Sequence, residues 1–309
     1  MRSKHELQAA IAQRHRAVLV VNTRSRRGQR LYRAAASQLQ AAGFSLLGSF
    51  PAGRSGRLED ILAAALDLQP DLLIVGGGDG TLSLAARHLA YRDAALGILP
   101  LGTTNNFART LGVPLHLAGA IEVLTSGKVA DVDLGEANGV YFANLASTGL
   151  SGDVAGTVRP GLKRLLGQAA YPLTALARLP RHRPFQATIT AGGQDRTLTT
   201  RQLNIANGSF HAARPITADA SADDRLLLAY SLGSGSRPSL IKATIRHALF
   251  GSRRSYAESA FLATGELMLH TTPPLPLVID GEIHGHTPAR ITLAPNALRV
   301  MVTPDFTDT

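Results

Sequence analysis

The sequence predicts an α/β domain built on a parallel sheet, followed by an antiparallel β-sandwich domain. Three observations carry this. Up to Lys128, short apolar runs alternate with segments of helical periodicity, the pattern of strands joined by helical crossovers. Two of those runs end in glycine-containing loops, at residues 76–80 and 102–106, and a helical segment follows each. After Lys128 the rhythm changes to short, partly alternating runs separated by Asn138-Gly139, Gly192-Gly193 and Asn207-Gly208 turn signals.

The elements follow in order. Residues 1–17 (MRSKHELQAAIAQRHRA) are basic without an apolar stretch, so they read as a short surface helix and not as a secretory signal. Residues 17–21 (AVLVV) form a first buried strand ending at Asn22. An Asn there can reach a ligand over the carboxyl edge of the sheet, or cap a turn. A helix is expected over 28–42, with Leu31, Ala35 and Leu39 at four-residue spacing and Gly43 as its stop. Residues 44–50 give a second strand and 58–68 a second helix.

The third strand is 71–75, whose unbroken apolar run suits a strand buried on both faces. Gly76, Gly77, Gly78, Asp79, Gly80 and Thr81 follow it, then a helical face of Leu82, Leu84, Ala85, Ala86 and Leu89. Glycine permits positive φ and leaves no side chain between backbone and ligand. The N–H groups opening the helix favour an anion. The turn therefore reads as a phosphate cradle, with a ligand-free tight turn as the alternative. Asp79 weighs toward phosphoryl transfer, because a carboxylate there repels phosphate unless it holds a metal or a substrate proton. A fourth strand, 96–99, runs into Pro100, Leu101, Gly102, Thr103, Thr104, Asn105 and Asn106, and then a helix over 105–111. Thr and Asn side chains can donate to phosphate or ribose oxygens, and both cap helices. The two glycine loops are expected to face one another.

The second domain is expected to hold strands at 129–134, 140–146, 185–190, 197–206, 226–232, 266–270, 277–279 and 289–293, interrupted by helices at 161–178 and 239–249. A last strand, 297–302, can return to the first domain. The expected division is 1–130 for the α/β domain, with 295–309 packing back on it, and 131–294 for the sandwich.

Composition sets limits. The chain has 309 residues, 45% of them hydrophobic, enough to build a core for two domains. It has no cysteine, which excludes disulfides, thiolate zinc sites and cysteine nucleophiles. Lys and Arg number 32 against 22 Asp and Glu, a net charge of +10 that suits anionic partners or a solvated basic surface. Aromatics are only 5%, and no nucleic-acid module is recognisable, so no nucleic acid is expected as a partner. No apolar run approaches the roughly 18 residues of a spanning helix, so a cytoplasmic protein is expected.

The motifs resemble one family. Gly77-Gly78-Asp79-Gly80-Thr81 resembles the GGDGT signature shared by diacylglycerol kinases, sphingosine kinases and NAD kinases. Residues 100–109 (PLGTTNNFAR) resemble the PxGTxNDFAR block of the lipid-kinase branch, with Asn106 where Asp is usual. Residues 144–150 (NLASTGL) and Asp280-Gly281-Glu282 resemble its later blocks, in the right order. Together they span about Asn22 to Val302.

The resemblance implies an NAD-kinase-like nucleotide domain plus a β-sandwich, with the active site in the cleft between them. It implies ATP held by Asn22, Gly76, Gly77, Gly78, Gly80, Thr81, Gly102, Thr103 and Asn105, and Asp79 working through Mg2+. Catalytic roles pass to Asp79, Asp280 and Glu282, with Asp280 or Glu282 accepting the proton of a lipid hydroxyl as it attacks the γ-phosphate; Glu282 is the preferred base. Residues 218–225 (ADASADDR) resemble a loop that holds structural magnesium, with Asp224 and the carbonyls of Ser221 and Leu226 as the matching ligands. Arg225 stands where Gly is usual and can supply the cation's charge instead.

His284 and His286 read as surface or substrate-mouth histidines. His182 with Arg181 and Arg183, and Arg253 with Arg254, read as a solvated face or a membrane-facing rim. The expected function is ATP-dependent phosphorylation of a lipid such as a diacylglycerol or a sphingoid base. Expected partners are that lipid, an anionic membrane surface contacted peripherally, and a second copy in a homodimer. The alternatives are an NAD kinase and a non-catalytic nucleotide- or lipid-binding regulator.

Overall fold

The computed structural model describes residues 2–24, 26–53, 57–155, 182–207, 210–211, 214–215, 225–232 and 260–307. The chain divides into two compact units, unit 1 (Met1–Leu134 and Pro295–Thr309) and unit 2 (Gly135–Ala294).

Unit 1 is α/β. Its elements are α1 (Lys4–Arg14), β1 (Arg16–Asn22), α2 (Arg26–Ala41), β2 (Ser45–Ala52), α3 (Leu58–Asp67), β3 (Leu72–Gly77), α4 (Asp79–Leu89), β4 (Ala95–Pro100), α5 (Asn106–Thr110), α6 (Leu117–Ser126) and β5 (Lys128–Ala137). Strands β2, β1, β3 and β4 pair in that order, all parallel. Ala17 to Val21 and Leu72 to Val75 are wholly buried, as their unbroken apolar runs require of central parallel strands. The N-terminal helix is more than a surface feature: Leu7 and Ile11 are buried. Ser3 and Glu6 form a reciprocal capping box at its start. Helix α6 is an addition to the sequence reading; Ala120, Ile121, Val123 and Leu124 form its buried face.

Unit 2 is antiparallel. Its described elements are β6 (Val140–Phe142), β7 (Leu145–Gly149), α7 (Leu150–Ala155), β8 (Phe185–Ala191), β9 (Gln194–Thr200), β10 (Gln202–Ala206), β11 (Phe210–His211), β12 (Arg214–Pro215), β13 (Leu227–Leu232), β14 (Ala260–Thr264), β15 (Glu266–Thr272), β16 (Pro276–Ile279), β17 (Glu282–His286) and the start of β18 (Ala289–Val302). One sheet runs β14-β13-β10-β7-β16-β17. In the other, β18, β15, β8 and β9 pair in turn. Phe142, Phe185, Ile189, Leu203, Ile205, Leu267, Leu269, Leu277, Ile279 and Ile291 fill the core between these sheets.

Four of the expected strands differ from expectation, and β11, β12 and β14 are additions to it. The single strand expected over 140–146 is two, β6 and β7, because Ala143, Asn144 and Leu145 turn their N–H groups to the Asp280 carboxylate. The strand expected over 197–206 breaks at Arg201: β9 pairs with β8, while β10 pairs with β7 and β13 in the other sheet. The strands expected at 289–293 and 297–302 are one continuous β18, whose Val300 pairs in parallel with Leu96 in unit 1. The helices expected at 161–178 and 239–249 lie outside the described residues.

Candidate active site

In unit 1 the site is built by the carboxyl ends of β1, β3 and β4. Gly78 caps α4 with φ −95°, and none of Gly76, Gly77, Gly78, Gly80 or Gly102 has positive φ. Close approach, not left-handed backbone, is therefore what these glycines provide. A Cβ on Gly77 would lie 2.5 Å from Thr81, and one on Gly76 would lie 3.0 Å from both Leu101 and Val21. A Cβ on Gly102 would lie 2.5 Å from the Gly78 Cα, so the two loops touch backbone to backbone. At Gly80 a Cβ would meet nothing within 4 Å. Gly80 and Thr103 are exposed, and Thr81 is buried.

The side chains named from the sequence are largely engaged with the chain itself. Asn22 donates from Nδ2 to Thr81 Oγ1 (3.0 Å) and accepts from the Arg24 N–H (3.2 Å), tying the end of β1 to the first turn of α4. Buried Asn105, at φ 48°, accepts from the Gly102 N–H (2.9 Å) and donates to the Gly102 carbonyl (3.1 Å). Its amide braces the second loop. Asp79 accepts from Thr104 Oγ1 at 2.6 Å and from the Phe107 N–H at 3.1 Å. The sequence reading gave this carboxylate no structural reason to be in the turn. The structure supplies one, because Asp79 links the two glycine loops. Thr104, expected only as one of the loop's general donors, is the residue whose bond to Asp79 the sequence did not show.

In unit 2, Asp280 (φ 46°) and Gly281 (φ 92°) are the two central residues of the hairpin joining β16 to β17, with Ile279 opposite Glu282. Two successive residues of positive φ make the tight turn that Asp-Gly favours. The Asp280 carboxylate accepts the N–H groups of Ala143 (2.9 Å), Asn144 (3.1 Å) and Leu145 (2.9 Å). Glu282 instead has an exposed side chain, 3.7 Å from His284 Nε2 as an ion-pair contact. His286 is exposed.

His182 departs from the expected basic rim. It is buried; its Nε2 donates to the Arg201 carbonyl (2.9 Å) and its Nδ1 lies 2.7 Å from Asp153 Oδ2. Arg201 returns a hydrogen bond to the His182 carbonyl. The ring is thus a brace within unit 2. Of the expected magnesium loop, Arg225 (φ 61°) and Leu226 are exposed, while Asp219, Ser221, Asp223 and Asp224 lie outside the described residues. Arg181, Arg253 and Arg254 also lie outside them. Among the described residues, no group of three or more His, Asp or Glu side chains is placed to share a metal ion. Nor is any described helix long and apolar enough to cross a membrane.

Two family matches cover most of the chain. Residues 16–137 match the diacylglycerol kinase catalytic domain, and residues 144–302 match the YegS C-terminal NAD kinase beta sandwich-like domain. A Pseudomonas aeruginosa protein described as "Probable lipid kinase YegS-like" is 34% identical over 250 residues, covering 79% of this chain and 81% of that protein. The "Diacylglycerol kinase" of Bacillus subtilis is 31% identical over 225 residues, 71% of this chain and 73% of that one. The crystal structure of a diacylglycerol kinase from Bacillus anthracis str. Sterne superposes with a TM-score of 0.74 at 26% identity, over 94% of this chain and 97% of that one. A GGDGT loop on a parallel sheet, a second glycine loop latched to it, and a sandwich carrying the Asp-Gly-Glu hairpin all fall within these matches: the chain belongs to the diacylglycerol kinase family of lipid kinases.

Proposed function

We propose that this chain transfers the γ-phosphate of ATP to the hydroxyl of a membrane lipid, a diacylglycerol or a sphingoid base. The observation that carries this reading is the pair of glycine loops in backbone contact at Gly78 and Gly102, beside the N-terminus of α4. Backbone N–H groups opening a helix favour phosphate, and small residues let phosphate approach them. Exposed Thr103 and Gly80 border that approach. Asp79 fits a magnesium ion, because each of its oxygens accepts one hydrogen bond and a carboxylate oxygen has two lone-pair sites. Magnesium keeps most of its waters and takes one or two carboxylates beside substrate phosphates, so Asp79 suffices to hold it. When bound, the ion would neutralise charge on the transferring phosphoryl group.

Glu282 is the residue assigned to take the proton of the lipid hydroxyl. Its carboxylate is exposed, whereas both oxygens of Asp280 already accept backbone N–H groups. A base must be able to reach the proton it removes, and Asp280 is committed to residues 143–145. Asp280 instead fixes the hairpin on which Glu282 stands. Lipid as acceptor, with a net charge of +10, further implies peripheral contact with anionic membrane.

The test is to incubate the purified protein with labelled ATP, magnesium and either mixed vesicles of candidate lipids or NAD. Label in a lipid fraction, lost when magnesium is chelated, is the expected result. Label on NAD would support the NAD-kinase reading, and label on neither would support a non-catalytic binding protein.

A further inference from the structure

Asp79 sits at the first position of α4, where its charge opposes any phosphate placed over the turn. Its carboxylate does not hang free there. Thr104 Oγ1 donates to Oδ2 at 2.6 Å and the Phe107 N–H donates to Oδ1 at 3.1 Å, so both donors come from the loop after β4. That loop is braced independently. Asn105 closes it on Gly102 through two hydrogen bonds, and Arg109 Nε donates to the Thr104 carbonyl at 2.8 Å. The hydroxyl of Thr104 is thus a fixed donor aimed at Asp79, while that of its neighbour Thr103 is on an exposed residue.

We propose that Thr104 is a positioning residue for the nucleotide: it holds the Asp79 carboxylate toward the second loop, leaving the N–H groups of the α4 terminus open to phosphate. The inference rests on the nucleotide reading of this site. Without the hydroxyl, Asp79 keeps a single donor and regains rotamer freedom, and its charge competes with the incoming phosphates. A bond to a carboxylate is among the stronger side-chain hydrogen bonds, so the loss is measurable.

The experiment compares wild type, Thr104→Val and Thr104→Ser as full chains. Three quantities are read: affinity for ATP with and without magnesium, hydrogen exchange at the Phe107 amide, and lipid phosphorylation. Valine keeps the shape and removes the donor; serine keeps the donor. Thr104→Val should bind magnesium-ATP about tenfold more weakly, lose more affinity when magnesium is absent, and exchange the Phe107 amide faster. Thr104→Ser should return all three toward wild type. Should the valine variant fail to fold by thermal melting, Thr104→Ala against Thr104→Ser serves the same contrast. Unchanged nucleotide affinity in a folded valine variant overturns the proposal, as does a serine variant that behaves like valine. A wild type that binds ATP but phosphorylates no lipid removes the lipid-kinase reading alone, and the affinity contrast still decides the role of Thr104. A wild type that binds no ATP overturns both.

Discussion

Two loops, one in each unit, present a carboxylate beside glycine, and the two carboxylates are held in different ways. Asp79 receives one side-chain hydroxyl and one backbone N–H from a loop 25–28 residues away. Asp280 receives three successive backbone N–H groups from residues 143–145. The first accepts one bond at each oxygen and links two loops; the second accepts three backbone N–H groups and fixes a hairpin. Two residues beyond Asp280, Glu282 is held by little more than an exposed contact with His284. A carboxylate near a glycine thus serves to latch two loops or to brace a hairpin, or is left exposed, and the number and kind of its donors separates these cases.

The largest effect that sharpens this comparison is expected at Glu282. Glu282→Gln should lower single-turnover lipid phosphorylation by about 10²–10⁴-fold, the usual range for loss of a general base. ATP affinity and the urea midpoint should stay close to wild type, because this side chain is exposed. Asp280→Ala should show the reverse emphasis, with unit 2 destabilised by about 3 kcal/mol as three N–H groups lose a charged acceptor. If Asp280→Asn is dead while fully stable and Glu282→Gln turns over normally, the roles assigned to the two residues are exchanged.

Nucleotide binding comes next in size. A valine at Gly78 would press on the Gly102 Cα, which lies 3.3 Å from the Cβ position, so lost binding there could arise from parted loops. Gly80 gives the cleaner test, since a Cβ meets nothing within 4 Å. Gly80→Val should leave the melting temperature unchanged or slightly raised, because valine exceeds glycine in helix propensity. It should weaken ATP binding about tenfold by standing over the α4 terminus. Calorimetry showing wild-type affinity would mean that phosphate does not approach there.

The smallest effect is expected further along the helix that Asp79 opens, at His88. Partial burial in α4, together with Arg92, pushes the imidazole of His88 below its ordinary value. The folded state therefore favours neutral His88. Its contribution to stability is present above the unfolded-state value and is lost as pH falls through the lowered folded-state one. His88→Gln should flatten the stability of unit 1 as pH falls below the ordinary histidine value. An unchanged pH profile in urea melts would remove His88 from consideration.

Much of this could be read along the chain. The strand–glycine–helix order of unit 1 follows from apolar runs and helical spacing, and the Asp280-Gly281 hairpin from the positive φ that Asp-Gly accepts. These are local properties, set by neighbours in sequence. What the residues touch was settled over longer distances. The break between β6 and β7 depends on a carboxylate some 135 residues later. The break at Arg201 arises where β9 and β10 pair in different sheets, and the burial of His182 comes from Asp153 and the Arg201 carbonyl. Asp79 looked unsupported because its donors, Thr104 and Phe107, reach it only once β3 and β4 lie side by side. Sequence determined the turns and the residue types at the site. Only the tertiary fold, through long-range hydrogen bonds and backbone contact between glycines, decided which of those residues are engaged by the protein itself and which stay exposed.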